Sequence, residues 1–314
     1  MDPITNENMV VNETPNPYEF VNREITGDDD FTRPSITYWQ DAWYRFRKDK
    51  MAMAGMIVLL ILLVAAIIGP MIIPYSYEES DWSQISQWPS KEHLFGTDAL
   101  GRDLLVRCLY GARISLLIGF AAAAINMVIG IVYGGVAGFV GGMVDNVMMR
   151  IVDILIALPE LLYIILMMMF MGASVKSIVI ALCISSWVGT ARITRSQIVS
   201  LRSQEYVMAA RLAGTTTAEI IRKHMIPNAM GPIIVSVMYL IPSAIFSEAF
   251  LSFLGIGIQK PMASWGSLAN DAIETLMTFP YQMLFPVLLI SITMFALNFI
   301  GDGLRDALDP KQKR

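Results

Sequence analysis

MAMAGMIVLLILLVAAIIGPMII, residues 51–73, carries no charged side chain from end to end. A bilayer core of about 30 Å takes ~20 apolar residues in a helix, and this stretch meets that length by itself. Five more stretches of the same kind lie further along, at 114–138, 146–171, 174–192, 229–254 and 282–301. The expectation is an all-α membrane protein with six transmembrane helices. Composition points the same way: of 314 residues, 55% are hydrophobic and 16% charged, and the mean hydropathy is +0.53. That is off the balance of an ordinary soluble domain.

Several function classes drop out at once. A net charge of -4 with scattered basic residues offers no field to hold nucleic acid. Cys108 and Cys183 lie in or beside apolar runs and read as small buried hydrophobes, not as a disulfide framework or a thiolate site. His93 and His224 are far apart and lack the spacing of a zinc helix, so no metal site is expected. No Gly-Lys dipeptide occurs, which excludes a Walker A phosphate loop.

Residues 1–36 are polar, with Asp28, Asp29 and Asp30 in a row and no apolar period, and read as a flexible cytoplasmic tail. No basic-then-apolar opening marks a cleavable signal, so the first span is expected to stay as an anchor. Over 37–50, Trp39, Trp43 and Phe46 recur at helical spacing opposite Arg45, Arg47 and Lys48. This suits an amphipathic helix in the headgroup layer, or a solvated helix end bearing a few aromatics. An outer loop is expected over 74–113, a five-helix core over 114–301 with a cytoplasmic loop at 193–228, and a cytoplasmic tail over 302–314. Spans three and four stand barely a turn apart and should form a tight hairpin. With the N-terminus inside, 17 of the 23 Lys and Arg residues fall on the cytoplasmic side, which places both termini there.

Within the spans, Gly130, Gly134, Gly138 and Gly142 follow one another at intervals of one helical turn, a stripe where a second helix can approach closely. Glu248 in span five is the pore candidate, because an ionised carboxylate in lipid needs a partner or a wet cavity; it also lies near enough to the outer end to reach headgroup water. Arg150 and Asp153 are spaced for an intrahelical pair, and Pro159, next to Glu160, should bend span three.

Too polar to cross lipid, the stretch 193–228 is also strongly patterned. Glu205 to Ala213 favours helix, Gly214 suits a left-handed stop, and Thr216 to Glu219 is a capping-box pattern that begins a second helix. Pro227 is expected to separate that helix from span five. Such an elbow either passes a push from a soluble partner to the spans or rests on the headgroups as a connector.

Met208 to Gly214, preceded by Glu205-Tyr206-Val207 and followed by Pro227, resembles the EAA loop of ABC importer permeases; Met208 stands where that family has Glu, and Ile226 where it has Leu. The run from His93 to Asp103 leading to Tyr110 through Leu116 is similar to the stretch before the second span in C-type permeases of oligopeptide, dipeptide and nickel importers. So are Phe250 to Gly257 and Pro261 to Trp265. The resemblance covers about residues 38–309. It implies a type I ABC importer permease core with an added N-terminal span, sited in a plasma or bacterial inner membrane. It implies coupling positions at Ala209, Ala210, Gly214, Thr215, Thr216, Glu219 and Pro227. It also implies a B-type permease twin, two ATPase subunits that hold ATP and Mg, and an external peptide-binding protein, with no cofactor and no enzymatic step in this chain. Left open are a nickel or other small ligand, an ion-gradient-driven transporter, and an intramembrane hydrolase. The last is disfavoured because neither histidine lies near a buried serine.

Overall fold

The computed structural model describes residues 37–184 and 186–309, so the tail expected over 1–36 and the end of the C-terminal tail lie outside it. One compact unit begins at Trp39 and contains the helical body of the chain. Helix α1 (Tyr38–Lys48) turns Ala42 and Phe46 inward and leaves Trp39 and Trp43 exposed. Asp49 then caps α2 (Lys50–Ile72) by accepting from the Met51 and Ala52 backbone N–H groups.

After an outer segment without helix, Asp103 accepts from the Val106 N–H and starts α3 (Leu104–Val140). Residues 104–113, assigned to the outer loop on sequence, therefore belong to a helix; the cap acts ahead of the apolar run. Next come α4 (Gly142–Ala157) and α5 (Glu160–Met171). The two meet at 83° across Leu158 and Pro159, the bend expected where proline removes a donor. A tight hairpin through Gly172 leads to α6 (Val175–Leu182), which is capped by Ser174, and the chain continues into α7 (Trp187–Arg202). Then follow α8 (Glu205–Leu212), α9 (Thr217–Ile220), a π turn over Ile221–Met225, and α10 (Ile226–Phe253). Two further helices, α11 (Trp265–Asp271) and α12 (Tyr281–Leu308), complete the order.

Among the described residues five helical runs are long and apolar enough to cross a bilayer, and the bent α4–α5 pair makes a sixth when taken as one span. The apolar outer faces of α2, α3 and α12 remain exposed, as in Leu60, Val128 and Phe295, which is the surface a helix presents to lipid. The interior is built around α3, which packs on α7, α10 and α2.

Small residues make these approaches possible. A Cβ on Gly134 would lie 2.2 Å from the Ala191 carbonyl oxygen, and one on Gly138 would lie 2.8 Å from that of Arg195. Gly130 likewise faces Thr190. The expected fourth member of the stripe, Gly142, does not join it. Helix α3 has ended at Val140, Gly142 has φ +58°, and a Cβ there would meet nothing within 4 Å. Gly134→Ala should destabilise the protein by about 1–3 kcal/mol, since backbone must move to admit the methyl group. Gly135→Ala, where a Cβ meets nothing within 4 Å, should be neutral or stabilising by up to about 1 kcal/mol. Denaturant unfolding of both variants in one detergent checks the contrast.

Candidate functional site

The elbow between α7 and α10 is closed by two local motifs. At the end of α8 the Thr215 N–H donates to the Ala210 carbonyl at 3.1 Å and the Gly214 N–H to that of Arg211 at 3.0 Å, with Gly214 at φ +79°. This paired closure needs a left-handed residue, which glycine adopts without penalty. Across the turn, Thr216 Oγ1 accepts from the Glu219 N–H at 3.4 Å, and Lys223 Nζ donates to the Glu219 carboxylate at 2.8 Å.

The elbow is also seated. Val207 is fully buried in the same apolar cluster as Ile198 and Ile220. The Arg211 guanidinium lies 5.0 Å from the centroid of the Phe139 ring, and Arg202 Nη1 donates to the Phe139 carbonyl at 3.2 Å. Six of the seven expected coupling positions thus fall in one compact turn: Ala209, Gly214 and Thr216 exposed, Ala210, Thr215 and Glu219 half-buried.

The seventh, Pro227, behaves differently from expectation. It does not separate the second short helix from span five, because a single helical run extends over Thr217–Phe253. The π turn accommodates the proline: the Ile226 N–H donates to the Ile221 carbonyl, five residues back, so the ladder widens where a proline ring and missing donor would otherwise break it. As a result α9 is a direct extension of α10.

Sequence reasoning missed the outward face of the elbow. Leu212 is 91% exposed, and Met208 and Tyr206 are also open. The signal was present, since these are apolar residues in a polar stretch, but amphipathic periodicity assigns apolar side chains inward by default.

Between α2 and α3, residues of the His93–Asp103 run form the interior of a folded cap. Asp98 accepts from the Leu100 and Arg102 N–H groups through one oxygen and from Arg102 Nε at 2.7 Å through the other. Arg107 is fully buried, with Nε 3.4 Å from Asp98 and Nη2 3.6 Å from Asp271. The His93 ring sits between Asp103 at 2.8 Å and Gln84 at 2.5 Å. The Tyr281 hydroxyl reaches the carbonyls of Gln87 and Thr97, and Gln282 Nε2 donates to Thr97 at 3.0 Å, which ties the cap to the start of α12. Near its surface, the Glu78 carboxylate accepting from Tyr77 pushes that phenol above its ordinary range, with Tyr110 adding to the effect. Hydrogen bonds from the Ser83 hydroxyl and N–H hold the Asp81 carboxyl below its usual value.

Charges within the spans pair across helices. Arg192 Nη2 donates to Asp153 at 2.5 Å, so the partner of Asp153 is on α7 and not the expected Arg150. Arg195 grips both oxygens of Asp145, at 2.5 and 2.6 Å. Both contacts join α4 to α7, and a cross-helix partner satisfies a carboxylate that its own helix presents to a neighbour. Glu248 neither faces an open path nor reaches headgroup water: it is fully buried, and Ser115 and Ser252 hydroxyls donate to it at 2.7 and 2.8 Å. Ser252 Oγ in turn accepts from the Ile258 N–H at 3.0 Å, so Glu248 locks α3 to α10 and to the chain beyond.

Residues 114–314 match the family described as binding-protein-dependent transport system inner membrane component. The chain belongs to that family. In this permease family member, residues 37–89 also match the N-terminal TM domain of oligopeptide transport permease C. It is 48% identical over 305 residues to the dipeptide transport system permease protein DppC of Bacillus subtilis (strain 168), covering 96% of this chain and 95% of that one. It is 46% identical over 283 residues to the oligopeptide transport system permease protein OppC of the same organism, covering 90% and 93%. The oligopeptide permease OppC of Escherichia coli (strain K12) is 44% identical over 277 residues, covering 88% and 92%. Among solved structures, the inward-facing MetNI methionine ABC transporter superposes with a TM-score of 0.51 at 18% identity, over 66% of this permease and 96% of the matched chain. That likeness supports the type I importer permease fold.

Proposed function

We propose that this permease subunit forms half of a translocation pore for oligopeptides or dipeptides and works by alternating access, driven by ATPase subunits that dock on the elbow. The second half of the pore is a B-type permease, and an extracytoplasmic binding protein delivers the peptide. ATP and Mg reside on the ATPase subunits, so this chain performs no covalent step, and both its termini face the cytoplasm. The relatives named for peptides favour that cargo over nickel.

One observation carries the coupling assignment: the unbroken helical run over Thr217–Phe253. A packed helix moves as a unit, so a force applied at the Gly214 turn passes into α10 without being absorbed by a loop. Leu212 and Met208 supply the apolar contact that a partner groove requires.

The test is reconstitution of the permease pair, ATPases and binding protein in liposomes. Peptide uptake should require ATP on the cytoplasmic side and ignore an imposed proton gradient. Uptake driven by the gradient without ATP would move the protein to the secondary transporters.

A further inference from the structure

One polar surface at membrane depth plays no part in coupling through the elbow. A cavity of about 300 Å³ sets Glu160, Ser186, Ser236, Tyr239, Ser243 and Ser247 beside the apolar Leu182, Leu240 and Ala244. The four hydroxyl-bearing residues from α10 recur at intervals of three, four and four, so they share one helical face. We infer that this face and Glu160 form the contact surface for the peptide in transit, with the Glu160 carboxylate receiving the peptide's terminal ammonium. The inference rests on the importer reading and deepens it.

Three observations point there. First, depth: Ser186 stands seven residues before the loop expected to begin at 193, about 10 Å of helix at ~1.5 Å per residue. The hydroxyl stripe from Ser236 to Ser247 covers about 16 Å of α10 on the same rise.

Second, the bent span and the junction between α6 and α7 meet at this cavity. Glu160 opens α5 directly after the 83° bend, and Ser186 lies in the gap between α6 and α7. The Ser186 hydroxyl donates to Glu160 Oε1 at 3.2 Å. Discontinuous helices at membrane depth are tolerated where they line a cavity, and they mark substrate sites in other transporters.

Third, the chemistry suits a peptide of any sequence. A carboxylate beside a row of hydroxyls favours a wet wall over lipid, because the carboxylate is costly in lipid unless it meets water or a partner. Hydroxyls both donate and accept, so they serve the alternating N–H and C=O groups of a peptide backbone without reading its side chains. The Tyr239 hydroxyl is anchored by donating to Asp302 on α12, and the Ser243 hydroxyl donates to the Tyr239 backbone carbonyl. Glu160 brings a carboxylate to this wall, and the cation that every unblocked peptide shares is its N-terminal ammonium.

The experiment uses the full importer in liposomes with two probes, pentaalanine and N-acetyl-pentaalanine, each saturating. Glu160→Gln should cut pentaalanine uptake about tenfold, the scale of one charge-assisted hydrogen bond, and change N-acetyl-pentaalanine uptake less than twofold. Each peptide is compared with itself across the two proteins, so unequal delivery by the binding protein cancels. Equal losses for both probes, or no loss for either, would overturn the assignment. So would loss of the partner permease from the purified variant, which would give this face to subunit packing. In a second measurement, Ser243→Cys should react with a water-soluble methanethiosulfonate reagent, and pentaalanine should slow the reaction. An unreactive thiol, or one that pentaalanine does not protect, also overturns the proposal. Should the wild-type importer take up neither probe with ATP, the importer reading fails, and the thiol measurement still decides the site.

Discussion

Ala210→Pro is expected to abolish ATP hydrolysis stimulated by the binding protein while leaving the chain inserted in the membrane. Ala210 lies inside α8, half-buried against the apolar cluster that holds Val207. Proline there removes a ladder donor and drives its ring into the preceding turn, at a cost of about 3 kcal/mol or more. A short helix of 8 residues has little cooperativity to absorb that cost. The damage stays local, because the spans draw their stability from packing between α3, α7, α10 and α12. Insertion and assembly with the second permease should therefore persist, while the docking surface loses its shape. Leu212→Glu separates docking from folding more cleanly. Its side chain is 91% exposed, so folding should be unchanged and the ATPases should fail to co-purify. Full stimulated hydrolysis in both variants would remove the elbow from the coupling scheme.

The second large effect is expected on the outer face. Asp98→Ala should lower unfolding free energy by about 3–5 kcal/mol, the range seen when one member of a buried ion pair is deleted. The side chain of Asp98 is bonded to Arg102 and lies 3.4 Å from the buried Arg107 Nε. Its other oxygen closes the turn through the Leu100 and Arg102 N–H groups. Deletion thus leaves the fully buried Arg107 guanidinium with only Asp271 at 3.6 Å and the Tyr77 carbonyl at 3.0 Å, weakens the hold on Arg102, and opens a turn. Adding Arg107→Met should recover part of the loss, because it removes the under-compensated buried charge. Denaturant unfolding in detergent reads both numbers; if the double variant is no more stable than the single one, the charge network is not the cause.

Much of this molecule is legible residue by residue. The six apolar stretches, the Pro159 bend, the Gly214 stop and the Thr216 cap depend on local chain physics, namely length, a missing donor, a left-handed backbone and a reachable N–H. The bend, the stop and the cap appear where the sequence puts them, and each apolar stretch falls on a helical run or the bent pair, although several runs extend about ten residues further. The misreadings share a different cause. Gly142 follows its stripe by spacing but lies past the end of the helix, and Pro227 looks like a breaker until a π turn absorbs it. Asp153 has a suitable neighbour on its own helix and a better one on α7.

The apolar membrane segments, the Pro159 bend and the Gly214 stop were decided by the sequence alone, since hydropathy and backbone chemistry act over a single turn or span. Partners were decided only by tertiary structure: which carboxylate is sealed, as in Glu248, and which opens onto a cavity, as in Glu160. The reason is that two carboxylates in apolar runs are the same in one dimension, and only the placement of neighbouring helices seals one between two serine donors and leaves the other, with a single serine donor, on a cavity.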